Sequence, residues 1–522
     1  MTDQAVTAPL YGIHDFELSA DAPEPFAVEL TATFEHESGR TIAALPGFYD
    51  GDGRWGVRFS PTRPGTWRGR TTCEVEALND VELPALKCEE TVDTNLRGVL
   101  GADPARARRL AWATGEPFVP IGFECDWLFS LHQRSEADFA RLVDLLRERG
   151  FNYIVTNVYA HTGFSDASLD FVYGPPDLYV FGGTNDEPDH ATLNVDFFRR
   201  FDEMMRQLQA RGITAHLMIH VQNKHVNWPV RYSPEDDRYW RYVVARYQAF
   251  GNVVWDVSKE CHNYVGEFGH VAYPLSRVAM IRHHDAYGHL VTAHDPFVRS
   301  AGRSGPLDDA CDYVSDQVHL GDTDAYNREA ARRFRMLGRP YLNIEYGYEE
   351  GVEDIGTYTS GTIAPWPDVL AWTWAICVGG GYPCYYYTNT SWDLIKFDPE
   401  PPGWRRYRYL ADFLAEADLN RMTPDNEYVA GGVCCADAGR AYLAYLPVGG
   451  DLTIDLSAVD SAAGVTCRWL DTHSGQTADV TLTPETHERG GTHGGRLWHF
   501  LTKVASPLDD ASAPAAVLVR AV

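Results

Sequence analysis

Two stretches decide the reading of this chain: Asn252-Val-Val-Trp-Asp-Val-Ser-Lys-Glu260 and Arg339-Pro-Tyr-Leu-Asn-Ile-Glu345. Each is a short apolar run that ends on a glutamate as the chain breaks into a loop. Such runs predict buried strands. Barrel enzymes place their chemistry at the C-terminal ends of their strands. Taken singly, either glutamate has an ordinary explanation as a salt-bridged strand-end residue. As a pair, the two can act as acid/base and nucleophile in cutting a glycosidic bond.

Working outward, residues from about 104 to 420 alternate between strand and helix patterns. Strands are predicted at 117–122, 152–158, 213–219, 252–257, 289–294, 312–317, 340–345 and 382–387. Helices are predicted at 135–149, 194–211, 235–249, 274–286, about 326–337, 366–378 and 404–417. The second helix shows its buried face in Phe197, Phe201, Met204 and Leu208. Gly150, Gly212, Gly288 and Gly338 stand where left-handed caps would end helices. Eight such units predict an α/β fold, a (β/α)8 TIM barrel. A doubly wound open sheet is the alternative; the lack of a GxGxxG or phosphate loop counts against it.

The flanks read as all-β. Phe26-Ala-Val-Glu-Leu-Thr-Ala-Thr-Phe34 alternates with period two, and turn-rich breaks follow at Tyr49-Asp-Gly-Asp-Gly-Arg-Trp55 and Pro64-Gly-Thr-Trp67. Residues 1–103 are therefore expected to form an N-terminal β-sandwich, 104–422 the barrel, and 423–522 a C-terminal β-sandwich. Within the last, Arg440–Leu446 and Leu452–Leu456 around Gly449-Gly450 predict a hairpin. Glu485–Arg496, rich in glycine, predicts a mobile loop.

Bulk properties narrow the function. The net charge of −28 over 522 residues argues against nucleic acid. No run of about 18 apolar residues predicts a membrane span. The opening Met1-Thr-Asp-Gln-Ala-Val lacks the basic start and apolar core of a signal peptide, so the cytoplasm is the expected location. Ten cysteines without a CxxC pair predict reduced thiols. The 14 Trp and 28 Tyr suit a sugar, whose apolar ring faces aromatic side chains can cover. A homo-oligomer is left open.

The predicted strand ends collect polar and stacking side chains. They are Asp126 and Trp127; Asn157, Tyr159 and His161; His220; Lys259, Glu260 and His262; His294; Gln317 and His319; Glu345 and Tyr346; and Trp392. That set suits a polyhydroxylated ligand in the mouth of a barrel. His161, His220, His262, His294 and His319 could instead converge on a metal, but no HxH or HExxH spacing singles out a ligand set. No metal and no cofactor are expected.

At these residues the chain resembles clan A glycoside hydrolases, and within them the apiosidase-like barrels. Val253-Val-Trp-Asp-Val-Ser-Lys-Glu260 and Tyr341-Leu-Asn-Ile-Glu345-Tyr-Gly-Tyr-Glu349 are similar to that clan's fourth and seventh strands. Gly115-Glu-Pro-Phe-Val-Pro-Ile-Gly122 through Asp126-Trp127-Leu-Phe129 is similar to the first strand. The resemblance implies Glu260 as acid/base and Glu345 as nucleophile. One position departs: Lys259 stands where the clan carries an asparagine that contacts the sugar's 2-hydroxyl. A cation there could meet an anionic sugar or pair with Asp256 or Glu345.

The expected function is thus a retaining glycosidase, exo-acting on short oligosaccharides or glycosides, with pentofuranosides such as apiosides or arabinosides favoured by the family. Two rivals stand beside it: a carbohydrate-binding barrel without catalysis, and a metal-dependent sugar isomerase or lyase.

Overall fold

The computed structural model describes residues 6–163, 169–261, 263–264, 271–294, 305–351, 362–459, 464–482, 488–493 and 496–521. Its centre is a run of eight parallel strands. In chain order these are Gly122–Glu124, Tyr153–Asn157, Thr214–Val221, Val253–Lys259, Val291–Thr292, Val314–Gln317, Tyr341–Glu345 and Tyr382–Tyr387. The first pairs with the second and the eighth, and the ladder runs fifth, fourth, third, second, first, eighth, seventh, sixth. Between the fifth and sixth strands the ladder gives way to one isolated bridge, His294 with Ser315. Hydrogen bonds from Thr292 Oγ1 to Tyr313 O (3.0 Å) and from Ser315 Oγ to Ala293 O (3.2 Å) reinforce it.

Among the described residues, seven long helices fall where their sequence periodicity predicts: Glu136–Glu148, Val195–Ala210, Pro234–Tyr247, Ala272–His284, Thr323–Leu337, Trp366–Val378 and Trp404–Ala417. Ser135, Asn194, Ser233 and Asp322 cap four of them, each side chain accepting from a backbone N–H of the first turn. Gly338 ends its helix in the left-handed conformation, at φ +68°.

Alternation sets two faces on each strand. Tyr153, Val155, Met218, Val254, Leu342 and Ile344 form an inner core with Leu100, Trp112 and Phe118. The last three come from a small antiparallel sheet, Leu100–Asp103, Arg106–Trp112 and Pro117–Phe118. Ile154, Leu217, Trp255 and Ile376 belong to the larger core shared with the helices. A buried polar chain crosses the inner face. Tyr313 and Tyr153 share a hydrogen bond (2.8 Å), Tyr153 meets His216 Nδ1 (2.7 Å), and His216 Nε2 meets Asp256 Oδ2 (2.6 Å). Asp256 Oδ1 then accepts from the backbone of Ser258 and His294, tying the fourth strand to the fifth.

Before residue 104, a five-stranded and a three-stranded sheet share one core built on Phe34, Trp55, Phe59 and Trp67. Arg58 reaches from this region into the helices. It pairs with Asp15 and Asp202 and donates to Arg246 O, all but fully buried. After residue 422, a six-stranded and a four-stranded sheet share a second core. The outer face of the six-stranded sheet meets the helices, where Trp374 stacks on Tyr445 at 5.7 Å.

Two local expectations fail here. Ala441–Leu446 and Leu452–Asp455 do not pair with each other. They lie in different sheets, and Gly449 and Gly450, at φ +67° and +89°, carry the chain across. Both strands bury one face in the shared core, which outweighs the local turn signal. Within the glycine-rich stretch read as a loop, Glu488–His493 pairs antiparallel with Arg496–Val504.

Candidate active site

Glu345 ends the seventh strand, and a register slip aims it. Leu342 and Ile344 point to the inner core, so strict alternation would send Tyr346 inward as well. The ladder shifts between Asp316 and Gln317, opposite Asn343 and Glu345. Such a bulge re-aims side chains. Beyond it Glu345 joins the inner face, while Tyr346 turns outward to Thr373 and Tyr407. Tyr346 is therefore not brought to the site.

Glu345 is 3% exposed and surrounded by donors. Gln317 Nε2 donates to Oε1 at 2.7 Å, Tyr348 Oη donates to the same oxygen, and His319 Nε2 lies 3.4 Å away. His294 Nε2 stands 3.9 Å from Oε2. Burial alone would raise the pKa; His319 and the ammonium of Lys259 outweigh it and hold the carboxyl at about 2. This glutamate is ionised across the physiological range. Gly347, at φ +153°, turns the chain so that Tyr348 folds back onto Glu345, and a Cβ there would strike Trp372 at 2.7 Å. His319, Tyr348 and half-buried Trp392 lie near-parallel, with centroids 6.2 and 5.9 Å apart, as an aromatic step beside the carboxylate.

Glu260 is held differently. It follows the fourth strand in a left-handed conformation, φ +51°, rare for a residue with a side chain. It is only partly buried. Asn223 Nδ2 donates to Oε2 at 2.6 Å and Asn263 Nδ2 donates to the same oxygen at 3.0 Å.

Between them lies a buried charge cluster. Lys259 is 2% exposed and pairs with Asp126 Oδ2 at 2.5 Å, with Glu124 3.8 Å away. Its partner is thus Asp126, not Asp256 or Glu345. Burial opposes its charge, but Asp126, Glu124, Glu345 and Glu260 together push its pKa up. Glu124 goes the other way: burial and the neighbouring Asp126 push its carboxyl well above the usual range. Lys224, 5% exposed, sits 5.8 Å over the Trp127 ring, and burial beside Lys259 lowers its pKa. Among the described residues, Asn157 Oδ1 and Nδ2, Asp126 Oδ1 and Tyr386 Oη are buried without a hydrogen-bond partner. Buried polar atoms in that state mark a place for further polar partners.

Other described residues of the predicted set fall around this centre. Tyr159 is buried, with its hydroxyl 3.3 Å from the Nδ1 of half-buried His161. Trp127 is fully buried and offers no open face. His220 lies in an aromatic slot, stacked 4.1 Å from Trp228. His262 lies outside the described residues. The sequence places Asn223 and Asn263 at the ends of the third and fourth strands; Glu124, Lys224, Tyr348 and Tyr386 were missed as members. Glu124 and Tyr386 were in principle visible by alternation, two residues from Asp126 and Cys384 on inward positions.

A parallel-strand α/β fold with two carboxylates at strand ends, one clamped as an anion, has the groups a glycosidase needs. The chain belongs to the apiosidase-like catalytic-domain family, whose model matches residues 105–403. A domain of unknown function (DUF5060) matches residues 7–74. Its fold is similar to that of a putative glycoside hydrolase from Bacteroides vulgatus ATCC 8482, at 18% identity and a TM-score of 0.79, over 99% of this chain and 100% of that one. A glycoside hydrolase family 5 protein from the same organism is similar at 16% identity and a TM-score of 0.59, over 81% of this chain and 94% of that one. A comparison with curated proteins finds no match.

Proposed function

We propose that the chain is a retaining, exo-acting glycosidase on short oligosaccharides or glycosides, with a pentofuranoside as the favoured substrate. In this reading the eight strands act as a (β/α)8 barrel over 104–422, flanked by β-sandwiches at 1–103 and 423–522. Ten scattered, buried cysteines suit a reducing compartment, so the cytoplasm is the proposed location.

The observation that carries the reading is the clamp on Glu345. A nucleophile must be ionised and aimed before substrate arrives, and Gln317, Tyr348 and His319 do both. Glu345 attacks the anomeric carbon while Glu260 gives its proton to the glycosidic oxygen. The bond from that carbon to the oxygen breaks, its electron pair stays on the oxygen, and the alcohol leaves. Glu260, now a carboxylate, takes a proton from water, which attacks the same carbon and frees Glu345. Asn157, Asp126 and Tyr386 are the groups that sugar hydroxyls would satisfy, and Trp392 is the ring that would cover an apolar sugar face.

The test is a panel of aryl pentofuranosides, pentopyranosides and hexosides of both anomers, run against wild type and Glu345→Gln together. Release by the wild type alone supports the reading and names the glycone. Equal release by both proteins removes Glu345 from the mechanism.

A further inference from the structure

We infer that the aromatic slot beside Glu260 is a second binding site, built for a planar aromatic leaving group. The slot is a cavity of about 600 Å³ lined by His220, Trp228, Tyr232, Tyr264 and Tyr273. This inference rests on the glycosidase reading only for what the slot's occupant is attached to.

The first support is position. Gln222 lines the slot and precedes Asn223; Tyr264 lines it and follows Asn263. Those two asparagines hold the Glu260 carboxylate. The slot and the proton donor are thus built on the same two chain segments, and the group that receives the Glu260 proton departs on that side.

The second support is chemistry. A sugar ring asks for many hydrogen bonds, and here several of the polar atoms are already engaged. Tyr264 Oη and His220 Nδ1 meet at 2.5 Å; Tyr273 Oη donates to Asp236 at 2.8 Å. Trp228 Nε1 donates to Val221 O at 2.8 Å, and Arg231 donates to Gln222 Oε1 at 3.0 Å. The slot's walls are stacked rings, of which half-buried Trp228 and exposed Tyr232 keep surface open. Trp228 and His220 stack at 28°, with Trp240 parallel behind His220 at 8°. Arg231 lies 4.9 Å over Tyr264 and 5.4 Å over Tyr273. Such a wall favours a flat π system over a hydroxylated ring.

The third support is backbone. Tyr232 keeps φ at +62°, strained for an aromatic residue, and is fixed there by its N–H donating to Asp236 Oδ2 at 2.8 Å. The residue is nevertheless 53% exposed at the slot's edge. Strain of this kind persists where the surrounding structure enforces it, and it concentrates at ligand clamps.

Two readouts test the proposal. In the first, free 4-methylumbelliferone is titrated into wild type, Trp228→Ala and Tyr232→Ala, each checked for fold by circular dichroism. Trp228 is half-buried and its loss could disturb packing, whereas Tyr232 sits at the surface. The expected result is saturable binding that weakens about tenfold or more in both variants. Absent or undiminished binding overturns the slot, and this holds whether or not any glycoside is cleaved. In the second readout, the glycone found by the panel is presented as its 4-methylumbelliferyl glycoside, its methyl glycoside and its glucosyl disaccharide. The expected result is that the aryl-to-methyl ratio of kcat/KM falls at least tenfold in Tyr232→Ala. A ratio that stays fixed, or a loss confined to the disaccharide, overturns the aromatic assignment. Failure of the panel with binding intact would strike the glycosidase reading and leave the slot standing.

Discussion

Glu345 ends the seventh strand and Glu260 follows the fourth, and the molecule treats them in opposite ways. Glu345 is buried at a bulged strand end, wrapped by a glutamine, a tyrosine and two histidines, and kept charged. Glu260 stands just past its strand on strained backbone, partly open to solvent and held through one oxygen by two amides. Under the proposed mechanism, the difference would suit one residue type to two roles. A group that must remain an anion is given donors. A group that must trade protons with a departing alcohol and with water is left within their reach, with its second oxygen uncommitted to those amides. Lys259 sits between the two, and its pairing with Asp126 makes it a structural cation at the floor of the site.

The contrast can be broken most directly at Glu345. Glu345→Gln should lose at least about 10⁴-fold in kcat with fold retained, as when other enzymes lose a nucleophile; steady-state rates and circular dichroism check this. At Glu260 the expected loss depends on the leaving group. Glu260→Ala should fall about 10²–10⁴-fold on alkyl glycosides and much less on aryl ones, because a good leaving group needs little acid help. Equal losses on both would deny the division of roles. Lys259→Met should act on folding: it leaves Asp126 buried and unpaired, and denaturant unfolding should show a loss of about 3–5 kcal/mol. Asn223→Ala removes one charge-assisted hydrogen bond, worth about 1.5–3 kcal/mol, so roughly a 10–100-fold fall in kcat on alkyl glycosides is expected.

Acidity gives the smallest and sharpest contrast. Glu345 is depressed to about 2, so the stability it contributes is full above its ordinary value near 4.5 and is lost as pH falls from there through 2. Aryl-glycoside turnover should therefore show no acid limb from Glu345 near pH 4.5. Glu349 has the opposite sign. Burial lifts its carboxyl to about 7 although Tyr385 and Gly403 donate to it. Folding favours its protonated form, so stability should fall as pH rises from about 4.5 through 7, by roughly 1–3 kcal/mol. Urea unfolding at pH 5 and 8 should show that slope, and Glu349→Gln should flatten it.

Much of this was legible in the sequence, for a physical reason. Long amphipathic helices and buried strands carry their periodicity locally, and Phe197, Phe201, Met204 and Leu208 bury just as their spacing predicts. The two glutamates were visible because apolar runs that end on a carboxylate are unusual. What escaped was tertiary. The bulge that turns Tyr346 away and Glu345 inward depends on pairing with the sixth strand, which nothing in residues 339–346 announces. The choice of Asp126 as partner of Lys259 spans 133 positions. The Gly449-Gly450 turn looked like a hairpin, since local signals do not say which sheet receives the next strand. Glu124 and Lys224 hid because each was judged without its neighbours.

The central claim is that Glu345 forms a bond to the sugar. Incubating the protein with a 2-deoxy-2-fluoro glycoside of the cleaved glycone, carrying an activated leaving group, and mapping its peptides by mass spectrometry tests this directly. The account predicts one added glycosyl group on the peptide bearing Glu345, absent from Glu345→Gln. A label on another residue, or an unlabelled enzyme that releases product of inverted configuration, would contradict it.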